Sequence, residues 1–474
     1  MSSSGSFVVE WAKAQQPKGP SLKNKSVFYR NLEAELDARR AQHGCMSLHT
    51  ISEGMSDFAS ADTLGLGSSG MLREAFLEEL AQNPNFWVGA SGTRLAFGNT
   101  AYHETLEREV AAFYGAETAL VTVNGGLANG AIFTSIPRPG DAIVYDEFIH
   151  ATVHDGMKNS LALVKKPFRH NNVESFMETL IEIRNSEPLI RSGQRCVIVA
   201  VEGIYSMDGD LPPLRELVAG AKEVFPDGNC QFYIDEAHST GVLGQKGAGL
   251  VCALGLENEI AIRMHSCPKA MAASGAMIVC NNTVKAMLLN NSRSVMFSGA
   301  PSFPMLAAIR AGYNLLKAGK TQHAQERVEY LVNLFMDRIT SHPVWDRAND
   351  TKTLRVPLWD LDEEVQPFVT PILPIMTRPN TRQHLFLTFH LQLAGFVVYP
   401  VYFPIVPKGT ERVRIIFHAS HTDAEVEALA ACICGWAEEM LEIDAGGDET
   451  VLPKASRRAY NMIDRERLIS SSLL

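Results

Sequence analysis

Short apolar, β-branched runs recur along the chain, centred near Val121, Ile143, Leu163, Val199, Phe232, Ile262 and Ile278. Helical or turn material separates most of them. Strands alternating with helices predict right-handed crossovers and a mostly parallel sheet covered on both faces, an α/β architecture. Two of the runs end in polar residues. Phe232, Tyr233 and Ile234 stop abruptly at Asp235, and Ile260 to Met264 closes on Ser266, Cys267, Pro268 and Lys269. Each reads as a buried parallel strand that delivers side chains at its carboxyl end.

Helical periods fill the remainder. A helix is predicted after Ser26, with Phe28, Leu32 and Leu36 on one face, ending near Gly44. Residues 103 to 113 run through Leu106, Val110 and Phe113 to Gly115. After Pro301 the pattern shifts: residues 303 to 340 read as helical through Leu306, Ile309, Tyr313 and Leu316, leading into a smaller α+β domain. The last helix carries a Thr422/Glu425 capping box and one stripe of Val426, Leu429, Ile433, Trp436 and Met440, a core face. Residues 1 to 25 lack periodicity and are expected to form a mobile arm, and the tail from Gly446 shows no convincing period. The expected organisation is an arm and helix over 1–65, a large domain over 66–310, a small domain over 311–445 and a tail over 446–474.

Composition narrows the classes. The 474 residues allow two or three domains, and 46% hydrophobic with 20% charged residues is ordinary for a globular protein. A net charge of -10 is against a nucleic-acid partner. No apolar run approaches the ~18 residues of a membrane span, and the amino terminus lacks a secretory pattern, so a cytosolic compartment is expected. Eight scattered cysteines, Cys196 and Cys280 among them inside apolar runs, read as reduced core residues rather than as a disulfide framework. Cys432 and Cys434, two apart on a predicted helix, face different sides and form no metal site. The final Ser-Ser-Leu-Leu is not the peroxisomal address.

In open α/β sheets ligands bind at the carboxyl edge, so Asp235, His238, Ser266 and Lys269 are expected in one pocket. An acid, an imidazole, a hydroxyl and an amine suit pyridoxal phosphate (PLP). That cofactor needs a lysine for its Schiff base, a carboxylate for its ring nitrogen, and donors for its phenolate and phosphate. Lys269, set between Pro268 and the small-residue run Ala-Met-Ala-Ala-Ser-Gly-Ala, would be crowded inward and its pKa lowered, whereas an ordinary lysine is a solvated charge. Asp235 has no basic neighbour in its run; capping the next turn is its structural alternative. Asn124, Gly125, Gly126 and Leu127 follow a strand and open a helix, which aims backbone amides at a phosphate, although glycine pairs after strands are common.

The run DEAHSTGVLG, followed by a lysine after Ser266, resembles the α-oxoamine synthase family over roughly residues 55 to 440. That family holds 8-amino-7-oxononanoate synthase, 5-aminolevulinate synthase, serine palmitoyltransferase and 2-amino-3-ketobutyrate ligase. The resemblance implies fold type I of the PLP-dependent transferases, a seven-stranded, mostly parallel sheet with a smaller carboxyl-terminal α+β domain, and a homodimer with sites at the subunit interface. It gives Lys269 the Schiff base and His238 the phenolic oxygen and a proton-transfer role. His150, in preference to neighbouring His154, would stack on the ring. Ser206, in EGIYSMDGD, would reach the phenolic oxygen and Glu202 would border the site, while Asp208, Gly209 and Asp210 form a turn. Ser266 would donate to the phosphate, and Ser298, in MFSGAP, would reach it from the neighbouring subunit. The loop Gly89 to Thr93 resembles the family's Gly-Ser-Gly segment, with an ordinary loop as the alternative. Arg414 would take the substrate carboxylate, with Arg412 structural or exposed.

Two departures matter. Ala61 and Thr63 stand where the family has the Asn and Tyr of Asn-x-Tyr-Leu-Gly, and Gly126 stands where it often has an aromatic residue. The implied reaction is a decarboxylative condensation of an amino acid with an acyl thioester, on coenzyme A or a carrier protein, giving an α-amino ketone. The alternatives are a PLP-dependent aldolase or aminotransferase of the same fold, and a silent partner subunit of a heterodimeric synthase. Retention of Lys269, Asp235 and His238 is against the last.

Overall fold

The computed structural model describes residues 6–16, 25–361, 364–448 and 450–472. Its centre is a seven-stranded sheet of β1 (Thr118–Thr122), β2 (Ala142–Asp146), β3 (Val164–Phe168), β4 (Val197–Glu202), β5 (Cys230–Asp235), β6 (Ile260–Ser266) and β7 (Ala276–Cys280). In space the order is β1-β7-β6-β5-β4-β2-β3. Only β7 runs antiparallel to its neighbours, so the other strands share one carboxyl edge. The sheet is buried on both faces, which is why its strands read as continuous apolar runs. Val197, Val199 and Val201 of β4 face one core, and Ile198 and Ala200 the other.

The run expected near Leu163 proves displaced. The strand begins at Val164 and reads Val-Lys-Lys-Pro-Phe, while Leu163 itself is exposed. An edge strand needs only one covered face and tolerates Pro167, so no apolar run marks it.

A second core gathers Phe58 with residues from Val328 to Leu441. It surrounds a three-stranded antiparallel sheet of β8 (Ile372–Met376), β9 (Tyr399–Val401) and β10 (Arg412–Ile416), with β10 central. The helix Asp423–Ala445 starts at the Thr422/Glu425 capping box, and its stripe is buried as expected. The predicted helix over 303–340 is two helices, Phe303–Lys317 and Gln322–Thr340.

Three readings of the sequence are corrected. Residues 6–14 of the supposed mobile arm form a helix whose Phe7, Val8, Trp11 and Ala12 are buried, while residues 1–5 and 17–24 lie outside the described residues. The tail is also helical, over Lys454–Ser472, with Ala459 and Ile463 in the same core as Trp11. The amino-terminal helix is too short to declare a period alone, and the carboxyl-terminal one is mostly charged and polar; they cover each other and the helix Gln383–Leu393. Cys196 is exposed, because it lies before β4, where its N–H donates to Asp141 at 2.9 Å. Cys280 is buried, and all eight cysteines are free. The helix Val27–Ala41 forms, yet its Val27, Phe28, Tyr29 and Leu32 are exposed. Among the described residues no helix is long and apolar enough to cross a membrane.

Candidate active site

The parallel strands deliver chemistry at one edge. After β1, Asn124 caps the helix Gly125–Ser135 by accepting from the Leu127 N–H at 2.8 Å. After β2, His150 caps the helix Ala151–Lys158 in the same way, its Nδ1 accepting from the Thr152 N–H at 3.2 Å. β4 ends in Glu202 and leads to Ser206; β5 ends in Asp235 and leads to His238; β6 ends in Ser266 and leads to Lys269. From the small sheet, Arg414 on β10 reaches over, its Nη1 donating to the Ser206 carbonyl at 3.0 Å.

These groups share one electrostatic field. Burial lowers the Lys269 pKa and Arg414 lowers it further, against the pull of Asp235 and Glu202. His238 is held well below the usual imidazole value by burial first, then by Lys269, Arg414 and His150. His150 is lowered by burial while feeling both Asp235 and Lys269. Glu202, only 3% exposed, is pushed well above the carboxylate range by burial and by the neighbouring Asp235 charge. His154 turns instead to the cavity beside the site and packs edge-on against Tyr145.

Two glycines keep the helix start close to its neighbours, which a side chain would have to push back by a few tenths of an ångström. A Cβ on Gly125 would sit 3.3 Å from Ser266 Oγ, and one on Gly126 would sit 3.3 Å from Thr152 Cγ2. The helix start therefore lies bare against Ser266, as a phosphate cradle needs. Ser298 stands apart: its hydroxyl donates to the Ser294 carbonyl, and it borders a narrow cleft with Leu127 and Arg94. Arg412 is structural, buried and paired with Asp208, and Gly209 turns back to donate to the Tyr205 carbonyl at 2.8 Å. Arg94, from the loop that resembles the Gly-Ser-Gly segment, reaches in to pair with Glu107.

Sequence reasoning missed a second layer. Asn129, Thr152 and Tyr233 link Asp235 to His150. His170 bridges Asp146 Oδ1 at 2.8 Å and Asp210 Oδ2 at 2.7 Å behind the Ser206 loop. The available signal was spacing: Asn129 is one polar residue in an apolar helix, one turn after Gly125. A cavity of about 370 Å³ opens beside Ser206, lined by Phe148, Met207, Phe403 and Ile405 with His154 and Arg412.

The residues present fit PLP. Among the described residues, Glu202 Oε1 and Arg414 Nε are buried with no hydrogen-bond partner. Among the same residues, buried Asp235 has no cation paired to it, and Lys269, half-buried, has its amine in no ion pair. A buried carboxylate and a half-buried amine left without counter-charges await a ligand that carries the complementary groups. Asp235 suits a protonated ring nitrogen, Lys269 an aldehyde carbon, His150 a ring face, and Ser266 with the Gly125 and Gly126 amides a phosphate.

The comparisons agree. A family model for aminotransferase class I and II matches residues 54–433. The chain is 46% identical over 461 residues to the aminoacyl transferase sphA of Aspergillus fumigatus, covering 97% of both. It is 38% identical over 406 residues to 8-amino-7-oxononanoate synthase of Emericella nidulans, covering 85% of this chain and 94% of that protein. In fold it is similar to serine palmitoyltransferase of Sphingomonas wittichii, with a TM-score of 0.70 at 23% identity over 87% of this chain and 98% of that one. An 8-amino-7-oxononanoate synthase from Francisella tularensis gives a TM-score of 0.60 at 21% identity over 82% and 99%. With Lys269, Asp235 and the helix start at Gly125 brought to one sheet edge, the chain belongs to the α-oxoamine synthase family, PLP-dependent acyltransferases of the aminotransferase class I and II fold.

Proposed function

We propose that this enzyme joins an amino acid to an acyl thioester, releasing carbon dioxide and the thiol and leaving an α-amino ketone. The observation that carries the reading is the convergence of Lys269, Asp235, His238 and Arg414 in one field at the sheet edge. PLP, when bound, supplies an electron sink for the charge left on the amino acid's α-carbon. Lys269, its pKa lowered by burial, gives up its proton more readily than an ordinary lysine, so its Nζ can attack carbonyl carbon and take the α-proton. His238, its pKa lowered well below the usual imidazole value, presents one N–H to the thioester carbonyl, and Glu202, its pKa raised by burial, borders the site.

Arg414, with Nε unengaged, takes the amino acid's carboxylate through its guanidinium fork. Ala61 adds nothing to that contact, because its carbonyl accepts from the Thr63 N–H at 2.7 Å and it carries no polar side chain. The cavity beside Ser206 leaves room for the acyl thioester. A homodimer accounts for the exposed apolar residues of the helix Val27–Ala41 and for Trp87, Val88, Leu95 and Phe97, and would bring Ser298 of a second copy to the phosphate.

The test is the visible absorption of the purified chain loaded with PLP and titrated in turn with glycine, alanine and serine, then with an acyl thioester. One amino acid should perturb the bound cofactor, and an α-amino ketone should appear by mass spectrometry only when the thioester is added. Lys269→Ala should give no product. Turnover of an amino acid with no need for a thioester would move the reading to an aldolase or aminotransferase.

A further inference from the structure

Asn129 lies on the helix Gly125–Ser135, one turn past the phosphate cradle, and is 1% exposed. Every polar atom of its amide is engaged. Nδ2 donates to Asp235 Oδ2 at 3.1 Å and to Thr152 Oγ1 at 2.9 Å, while Oδ1 accepts from the Tyr233 hydroxyl. The direction of each bond follows. Thr152 Oγ1 accepts from Asn129, so its own proton goes to His150 Nδ1, 2.8 Å away. That places the ring proton of neutral His150 on Nε2. Asp235 is held from its other side as well, Oδ1 accepting from the Ala237 N–H at 3.1 Å.

We infer that Asn129 is a positioning residue that fixes the Asp235 carboxylate and the His150 imidazole together, as one hydrogen-bonded unit tied to the helix that opens at Gly125. The inference rests on the cofactor site described above and adds a residue to it. The nearest substitutes in size and chemistry do not keep both bonds. Aspartate would set a second carboxylate against Asp235, serine can donate to only one of the two acceptors, and alanine to neither. Thr152 is the second link: it also bounds the space at Gly126, so the same network sets the distance between the phosphate cradle and the ring-facing groups.

The test compares wild type, Asn129→Ala, Asn129→Asp and Thr152→Val, each stripped of cofactor and titrated back with PLP, with visible circular dichroism of the bound cofactor recorded alongside kcat and KM. Loss of one hydrogen bond to a charged group corresponds to about tenfold or more in the cofactor dissociation constant. Asn129→Ala should show that rise and a weakened dichroic band, with kcat falling more than the amino acid's KM changes. Asn129→Asp should be at least as impaired although its volume is conserved. Thr152→Val should weaken the dichroic band with a smaller change in affinity, because the contact to Asp235 survives. Wild-type affinity and dichroism in Asn129→Ala would overturn the inference, as would equal affinity losses in Asn129→Ala and Thr152→Val. If Asn129→Ala does not fold, the two volume-conserving variants decide by the same readings. A wild-type chain that takes up no PLP would instead sink the cofactor site, and the inference with it.

Discussion

Two buried groups of charge sit within this fold and are treated in opposite ways. Glu107, 2% exposed, accepts from Arg94 at 2.7 and 3.2 Å, from Lys285 at 2.8 Å and from the Val121 N–H at 3.0 Å. Those cations overcome burial and hold its carboxyl below the usual range. At the sheet edge, Glu202 is as deeply buried, but its Oε1 has no partner among the described residues and its pKa is driven upward. Lys269 and Asp235 feel each other's charge without pairing. The first group is neutralised by its own chain and ties the Arg94 loop to the sheet. The second is left incomplete, and that incompleteness is where a ligand gains its binding.

The largest effects should separate the two regions. Lys269→Ala should abolish product yet leave the unfolding free energy within ~1 kcal/mol of wild type, since the lost amine formed no ion pair. Glu107→Gln should do the reverse. Removing one partner of a buried pair costs ~3–5 kcal/mol and leaves Arg94 and Lys285 uncompensated, while cofactor uptake persists. Urea unfolding set beside product formation measures both. Because the folded pKa of Glu107 is depressed, its contribution is present above the unfolded carboxyl value and fades as pH falls through the folded one. A strongly destabilised Lys269→Ala beside an unaffected Glu107→Gln would break the comparison.

His170 sharpens it from the middle ground. It is a paired group, yet it braces the loop that carries Ser206. Burial alone would lower its pKa, but the hydrogen bonds and charges of Asp146 and Asp210 outweigh that and raise it from 6.5 to about 10. With the folded value above the unfolded one, its stabilisation is full below about pH 6.5 and is lost as pH rises toward 10. His170→Asn should cost about 2–3 kcal/mol near pH 6, and the gap to wild type in urea midpoints should close as the pH approaches 10. A gap that widens with pH would mean that the imidazole is not charged in the fold.

The same contrast explains what could be read from the sequence. Lys269, Asp235 and His238 come at or just after the ends of apolar strands, so the strand pattern itself announces them at one edge. Asn129 and His170 do not. Asn129 sits within an apolar helix and acquires meaning only when β5 brings Asp235 alongside it. His170 gains its charge from Asp146 and Asp210, which lie 24 and 40 positions away along the chain. The terminal helices were invisible for a related reason: Trp11 and Ile463 bury each other, and neither segment has a complete apolar face without its partner. Strand periodicity is local, whereas pairing across the chain is not, so groups completed by distant partners escape a linear reading.

The smallest expected effect concerns the turn after Lys269. Ala272 holds φ at 51°, a left-handed conformation, while its N–H donates to the Lys269 carbonyl at 2.8 Å. An alanine there costs about 1–2 kcal/mol over a right-handed one, which glycine would relieve, less ~0.5–1 kcal/mol for the extra freedom glycine loses on folding. Ala272→Gly should therefore stabilise the fold by up to about 1 kcal/mol in urea unfolding. The hydrogen bond to Lys269 stays possible but is no longer enforced by a stiff backbone, so turnover should fall a few-fold while the KM values stay near wild type. A loss of stability would show that the turn is relaxed by its surroundings. A gain with unchanged turnover would mean that the strain beside the lysine plays no part in the site.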